Sequence, residues 1–274
     1  MELQLLILLF VAGGVAGALY TFTQIVAPLF VVCVVLLFLP ALGYEYSGVL
    51  LPLIATSVVS FIPILLLQWI KDMKAATLDS SVLIALSPGA AMGGVIGAQV
   101  VSFMSPLFFK LALSLVAALL LYQVIMQRRS VSLTSKKAQL MNLNVRSLRI
   151  PVGLLIGVVS IMAGGVGKVL AETVLTKTSV IQAHRHATAA GVALFVSIAA
   201  MVGFSFPALP LSYPQADGFI GGIQWLCCLT LAISQMLFYL LCQGKGNSLD
   251  HSVIRIALLV FIAIALSRIW LMPL

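Results

Sequence analysis

Lys168 and Glu172 stand one helical turn apart in a chain that otherwise reads as membrane interior. At i,i+4 they share one helical face and can neutralise each other as a structural pair. They can also divide the work of an anion site. Gly164, Gly165 and Gly167 precede the lysine. Glycine costs about 1 kcal/mol in a helix interior, so this run marks a break between two half-helices. A break exposes the amides at a half-helix start, and these favour anions. Lys168 then adds a full positive charge, while Glu172 moderates it or carries a coupling proton. Both readings stay open at this level. A charge at membrane depth is expensive, which makes the pair the first functional candidate.

Other polar residues carry weaker signals. Thr56, Ser57 and Thr188 either line the same cavity or bond back to the carbonyl one turn earlier. His184 and His186 flank Arg185 at a helix start, where solvation at the interface competes with proton sensing. Cys33, Cys227, Cys228 and Cys242 lie in apolar stretches without metal-ligand spacing, so they read as small hydrophobes. No metal and no cofactor is expected. Trp69, Trp225 and Trp270 sit near segment ends as interface anchors. The small residues of Gly89–Gly97 form a helix-packing face.

The elements that position these residues follow from composition. Of 274 residues, 62% are hydrophobic and 8% charged, with a mean hydropathy of +1.20. A soluble domain of this size needs more polar surface, so the solvent is the bilayer. Apolar elements are expected at 3–19, 24–42, 49–70, 81–103, 107–126, 150–164, 168–182, 187–206, 219–242 and 252–272. The first of them reads as a retained segment, because Glu2 precedes it and no small-residue cleavage site follows. Segments 150–164 and 168–182 are too short to span comfortably and form the half-helices.

The net charge of +8 does not describe a nucleic-acid surface. The basic residues sit at the ends of apolar segments, where the positive-inside rule operates. Loop 127–149 holds Arg128, Arg129, Lys136, Lys137, Arg146 and Arg149 and is expected in the cytoplasm. Loops 71–79, 183–186 and 243–251 then share that side. Loops 43–48, 104–106 and 207–218, which carry no Lys or Arg, face outside together with both termini.

The two halves share landmarks. Leu107-Phe-Phe-Lys-Leu-Ala-Leu-Ser-Leu reads like Ser252-Val-Ile-Arg-Ile-Ala-Leu-Leu-Val, aligning Lys110 with Arg255. Thr56 aligns with Thr188, and Gly13 and Gly17 with Gly153 and Gly157. Thr21, Thr23 and Gln24 fall at the first-half counterpart of the glycine break and offer further hydrogen bonds. An odd number of elements per half inverts the second half, as in secondary transporters with broken helices. The expected fold is all-α and polytopic, with about 8–10 membrane helices or half-helices in two inverted five-element repeats. Residues 1–126 form the first repeat, 127–149 the cytoplasmic basic loop and 150–274 the second repeat, all within one integral membrane domain.

Several motifs add to this in order and spacing. They are Phe38-Leu-Pro-Ala-Leu-Gly43 with Ile54-Ala-Thr-Ser57, and Ser87-Pro-Gly-Ala-Ala-Met-Gly-Gly-Val-Ile-Gly97. In the second half come Gly153-Leu-Leu-Ile-Gly157, Gly164-Gly-Val-Gly167, Ala187-Thr-Ala-Ala-Gly191 and Asp217-Gly218. Together they resemble the TauE/SafE sulfite-exporter family, the TSUP permeases, over nearly the whole chain. The resemblance implies a permease of small sulfur oxyanions or organosulfonates in a bacterial inner (cytoplasmic) membrane. The implied partners are a small anion and the lipid bilayer, with proton coupling and a homodimer left open. The family usually carries a Gly-x-Gly-Gly-Gly run ending in Pro in each half. Here Tyr20-Thr-Phe-Thr-Gln-Ile-Val-Ala-Pro28 keeps only the proline. The second copy keeps Gly165 and Gly167 but has Lys168 and Glu172 in place of an apolar residue and a proline.

Other classes fit less well. An intramembrane enzyme needs a nucleophile and a histidine within the membrane, yet His184, His186 and His251 all lie at segment ends. The chain is therefore not expected to be an enzyme. A non-transporting assembly factor or sensor on a decayed transporter fold stays open, because the first-half glycine run is lost.

Overall fold

The computed structural model describes residues 3–23, 27–38, 46–105, 107–115, 118, 146–176, 182–208, 218–243 and 251–271. The first half holds α1 (Leu3–Thr23), α2 (Ala27–Phe38), α3 (Tyr46–Ser60), α4 (Ile62–Lys74) and α5 (Ser80–Ser102). Residues 107–115 are also helical. The second half holds α6 (Arg146–Met162), α7 (Gly167–Leu175) and α8 (Gln182–Ser205). It continues with a hairpin of β1 (Phe219–Ile220) and β2 (Ile223–Gln224), then α9 (Trp225–Cys242) and α10 (His251–Leu271).

Leu3–Thr23, Val49–Lys74, Ser80–Ser102, His184–Ser205 and Trp225–Cys242 are each long and apolar enough to cross a membrane. Large apolar side chains such as Ile84, Leu155, Ile233 and Ile264 stand exposed on helix faces. Water disfavours such surfaces, and lipid tails accept them. Burial ranks the spans. His184–Ser205 has 72% of its apolar window buried by the rest of the protein, against 28% for Trp225–Cys242. α8 is therefore central, packed by α3, α4, α5 and α7, while α9 is peripheral.

Two expected elements differ in detail. The 49–70 segment is two helices, because Pro63 cannot donate a backbone hydrogen bond and the chain turns at Phe61. Phe61 bonds back to Val58 at 3.3 Å in a tighter turn. The 219–242 segment begins as a hairpin, with Ile220 opposite Ile223. Gly221, at φ +59°, takes the left-handed corner of that two-residue turn. A side chain there would strike the carbonyls of Phe204 and Ser205. The expected element 107–126 is described only in part, and most of the basic loop 127–149 lies outside the described residues.

Glycine sets the closest helix approaches. α5 lies on α6, where a Cβ on Gly89, Gly93, Gly153 or Gly157 would meet the facing backbone. α1 lies on α9, with Gly13, Gly14 and Gly17 against Leu231, Ser234, Gln235 and Phe238. The first helix of each half thus rests on a helix of the other.

Candidate functional site

α6 ends on a pair of glycines in the left-handed region, Gly164 at φ +78° and Gly165 at φ +90°. That region costs an L side chain about 1–2 kcal/mol and glycine nothing. The Gly165 amide donates to the Ser160 carbonyl at 2.8 Å, and the Gly164 amide to that of Ile161 at 3.1 Å. Those two bonds define a Schellman cap with Gly164 as its first non-helical residue. Val166 then opens α7 without any side-chain cap. The expected glycine break is therefore present, and it delivers the positive end of a half-helix.

A cavity lies in front of this turn. Gly165, Gly167 and Lys168 line it from the break, with Ser160 behind them. Tyr20, Pro28, Phe61, Leu65, Ala193 and Ser197 complete the lining, with Pro28 packed directly on Gly165. The space open to the centre of a water-sized sphere is about 10 Å³, room for roughly one water. An oxyanion of sulfur is several times larger, so this conformation is closed around Lys168.

Lys168 is 5% exposed. Its ammonium donates to the Tyr20 hydroxyl at 3.3 Å and lies 4.9 Å from the centre of the Tyr20 ring, within cation–π range. Phe61 holds that ring edge-on at 4.8 Å between centroids. The Tyr20 hydroxyl donates in turn to Gln68 Oε1. Gln68 is buried on α4, one turn before Asp72, whose carboxylate feels the charge of Lys168.

Glu172 also reaches α8. Its carboxylate lies 3.2 Å from Nδ1 of the half-exposed His186, near the start of α8. Lys168 thus reaches Tyr20 inside the cavity, and Glu172 reaches His186 beside α8.

The remaining expected residues are distributed around the bundle. Thr188 donates to the His184 carbonyl at 2.8 Å and accepts from the Asp79 amide at 3.1 Å. It therefore ties α8 to the capped start of α5, where Asp79 accepts from Val82. Thr56 accepts from the Gln224 amide at 3.3 Å, holding the hairpin. Ser57 is fully buried and its hydroxyl has no hydrogen-bond partner among the described residues. It precedes Val58, which packs directly on Gly165. Thr21 bonds back to the Gly17 carbonyl at 3.0 Å and reaches that of Tyr239 at 3.4 Å. Gln24 lies outside the described residues. Tyr20, Gln68, Asp72, Ser160 and Ser197 were not singled out from sequence. The available signal was polar character at membrane depth on α1 and α4.

Apolar spanning helices and a small cavity holding a buried lysine at a helix break fit a class, the multi-pass membrane transporters. A family described as Sulfite exporter TauE/SafE matches residues 9–269, and the chain belongs to that family. Its members are transporters and not enzymes. Comparisons with curated proteins and with solved structures each find no match.

Proposed function

We propose that the protein is a permease for a small sulfur oxyanion, sulfite or an organosulfonate, in the inner membrane of a bacterium. The observation that carries this reading is Lys168, buried in a cavity at the start of a half-helix. Backbone amides, the helix dipole and a desolvated ammonium act there on one small volume, and all three favour an anion. The closed cavity is then an occluded state that must open for substrate. Loop charge supports 127–149 in the cytoplasm and both termini outside. The division into repeats 1–126 and 150–274 is supported by reciprocal packing, α1 on α9 and α5 on α6.

Lys168→Met tests the site. It removes one charged hydrogen bond at similar length, about 1.5–3 kcal/mol, so anion affinity falls roughly ten- to hundredfold. Sulfite and methanesulfonate flux into vesicles should fall with it. Normal flux in a folded Lys168→Met protein would leave the cavity a structural one. A parent protein without flux or anion binding would favour the assembly-factor or sensor reading.

A further inference from the structure

Asp72 is an acidic group on the far side of Tyr20 from the cavity. Two hydrogen bonds lead from the lysine toward it. The Lys168 ammonium donates to the Tyr20 oxygen, and the Tyr20 hydroxyl donates to Gln68 Oε1. Gln68 and Asp72 stand one turn apart on α4, so the chain ends beside the carboxylate. Such a chain polarises from the ammonium toward Gln68, each bond strengthening the next. Asp72 Oδ2 is buried and has no hydrogen-bond partner among the described residues. The acid sits at the end of α4, where the α4–α5 turn meets water.

We propose that Asp72 is the internal counter-anion of Lys168 and takes up a proton when substrate occupies the cavity. This rests on the anion site proposed above and names the group that couples it to protons. In the empty state, Lys168 and Asp72 balance each other through Tyr20 and Gln68. A bound anion takes the lysine's charge, which leaves two negative groups facing one cation. Asp72 then accepts a proton from water at the α4–α5 turn, and that proton leaves again when the anion does. Anion and proton bind with positive linkage, so each raises the affinity for the other by the same factor.

The surroundings of Asp72 fit this assignment. Lys71 on its own helix and Lys168 on α7 are the cations acting on it, and Tyr20 on α1 and Tyr239 on α9 are the acidic hydroxyls nearby. α8, which also packs on α4, brings His184, Arg185 and His186 at its start, of which His186 engages Glu172. Glu172 already has a contact outside the cavity, which makes it the weaker coupling acid.

The test uses purified full-length protein and methanesulfonate, which does not titrate between mildly acidic and mildly alkaline pH. Affinity is read by ligand-induced thermal shift across that range, with sulfate as a second non-titrating probe. The parent should bind several-fold more tightly as pH falls. Asp72→Asn should hold the tight, low-pH affinity at every pH, and Glu172→Gln should keep the parent's slope. Tyr20→Phe cuts the connecting hydroxyl and should flatten the slope while Asp72 remains. Difference infrared should show a carboxylic C=O band appearing with anion, absent in Asp72→Asn. The same pH slope in Asp72→Asn as in the parent would overturn the assignment and leave the anion site standing. Absence of anion binding in the parent at every pH would remove both.

Discussion

The two glycine seams of the bundle are built differently. Between α5 and α6 the glycines come from both helices, and each added Cβ would meet backbone. Gly89 faces the Ile150 carbonyl, Gly93 that of Leu154, Gly153 that of Leu86 and Gly157 that of Ala90. Between α1 and α9 the glycines come from α1 alone. Gly13 faces the side chains of Leu231 and Ser234 with the Leu231 carbonyl at 3.3 Å, and Gly14 faces the Phe238 ring. Among the described residues, Gly17 makes the one close backbone approach there, where an added Cβ would strike the Gln235 carbonyl. A backbone contact cannot yield, whereas a phenyl ring or a leucine methyl can rotate away. One seam is therefore locked along its length, and the other is tight only near Tyr20. Since α1 holds Tyr20 against Lys168, the looser seam is where separating them would disturb least backbone packing.

The largest expected effect is at the locked seam. Gly157→Ala forces a methyl into the Ala90 carbonyl, where neither helix can move without disturbing the neighbouring glycine contacts. Overpacking of this kind costs about 1–3 kcal/mol and sometimes more. We expect the upper end, read as a lower midpoint of thermal unfolding in detergent. A loss smaller than that of Gly13→Ala would mean the α5–α6 contact is looser than its geometry.

The next effect sharpens the contrast within α1. Gly17→Ala should destabilise by about 1–3 kcal/mol, while Gly14→Ala should cost less than about 1 kcal/mol because Phe238 can rotate. Flux should separate the two further. Gly17 lies one turn from Tyr20, so Gly17→Ala slows transport beyond what its stability loss explains. Equal stability losses in the two variants would erase the distinction between a ring contact and a backbone contact.

Much of this was legible in sequence because membrane helices must satisfy their own backbone, which makes apolar runs and glycine breaks explicit. Gly164, Gly165 and Gly167 announced the end of α6, and the left-handed backbone at Gly164 and Gly165 explains why glycine stands at those two. Family membership was legible from motif order. The contacts of Lys168 with other helices were not. Spacing alone offered Glu172, because i,i+4 neighbours are the contacts a single helix can reveal. Tyr20, Gln68 and Asp72 come from two other helices, and only tertiary packing places them on one line. Phe61 and Gly221 show the same limit, as apolar composition hid both a helix break and a hairpin.

The smallest expected effect lies at Gln235. It is fully buried on α9, and neither polar atom of its amide has a hydrogen-bond partner among the described residues. A buried amide left unsatisfied costs about 1–3 kcal/mol relative to one that is paired. Its backbone is also the point where Gly17 presses on α9. An unsatisfied group at the one tight contact of the looser seam fits a residue that finds its partner in another conformation. Gln235→Leu keeps similar volume and removes the unmet polar atoms, so this closed state should gain about 1 kcal/mol. Opening should then become harder, and flux should fall although stability rises. Thermal unfolding and vesicle flux on the same preparation separate the cases. A more stable variant with unchanged flux would make Gln235 a plain packing defect, and a less stable one would mean that its amide is satisfied in the closed state after all.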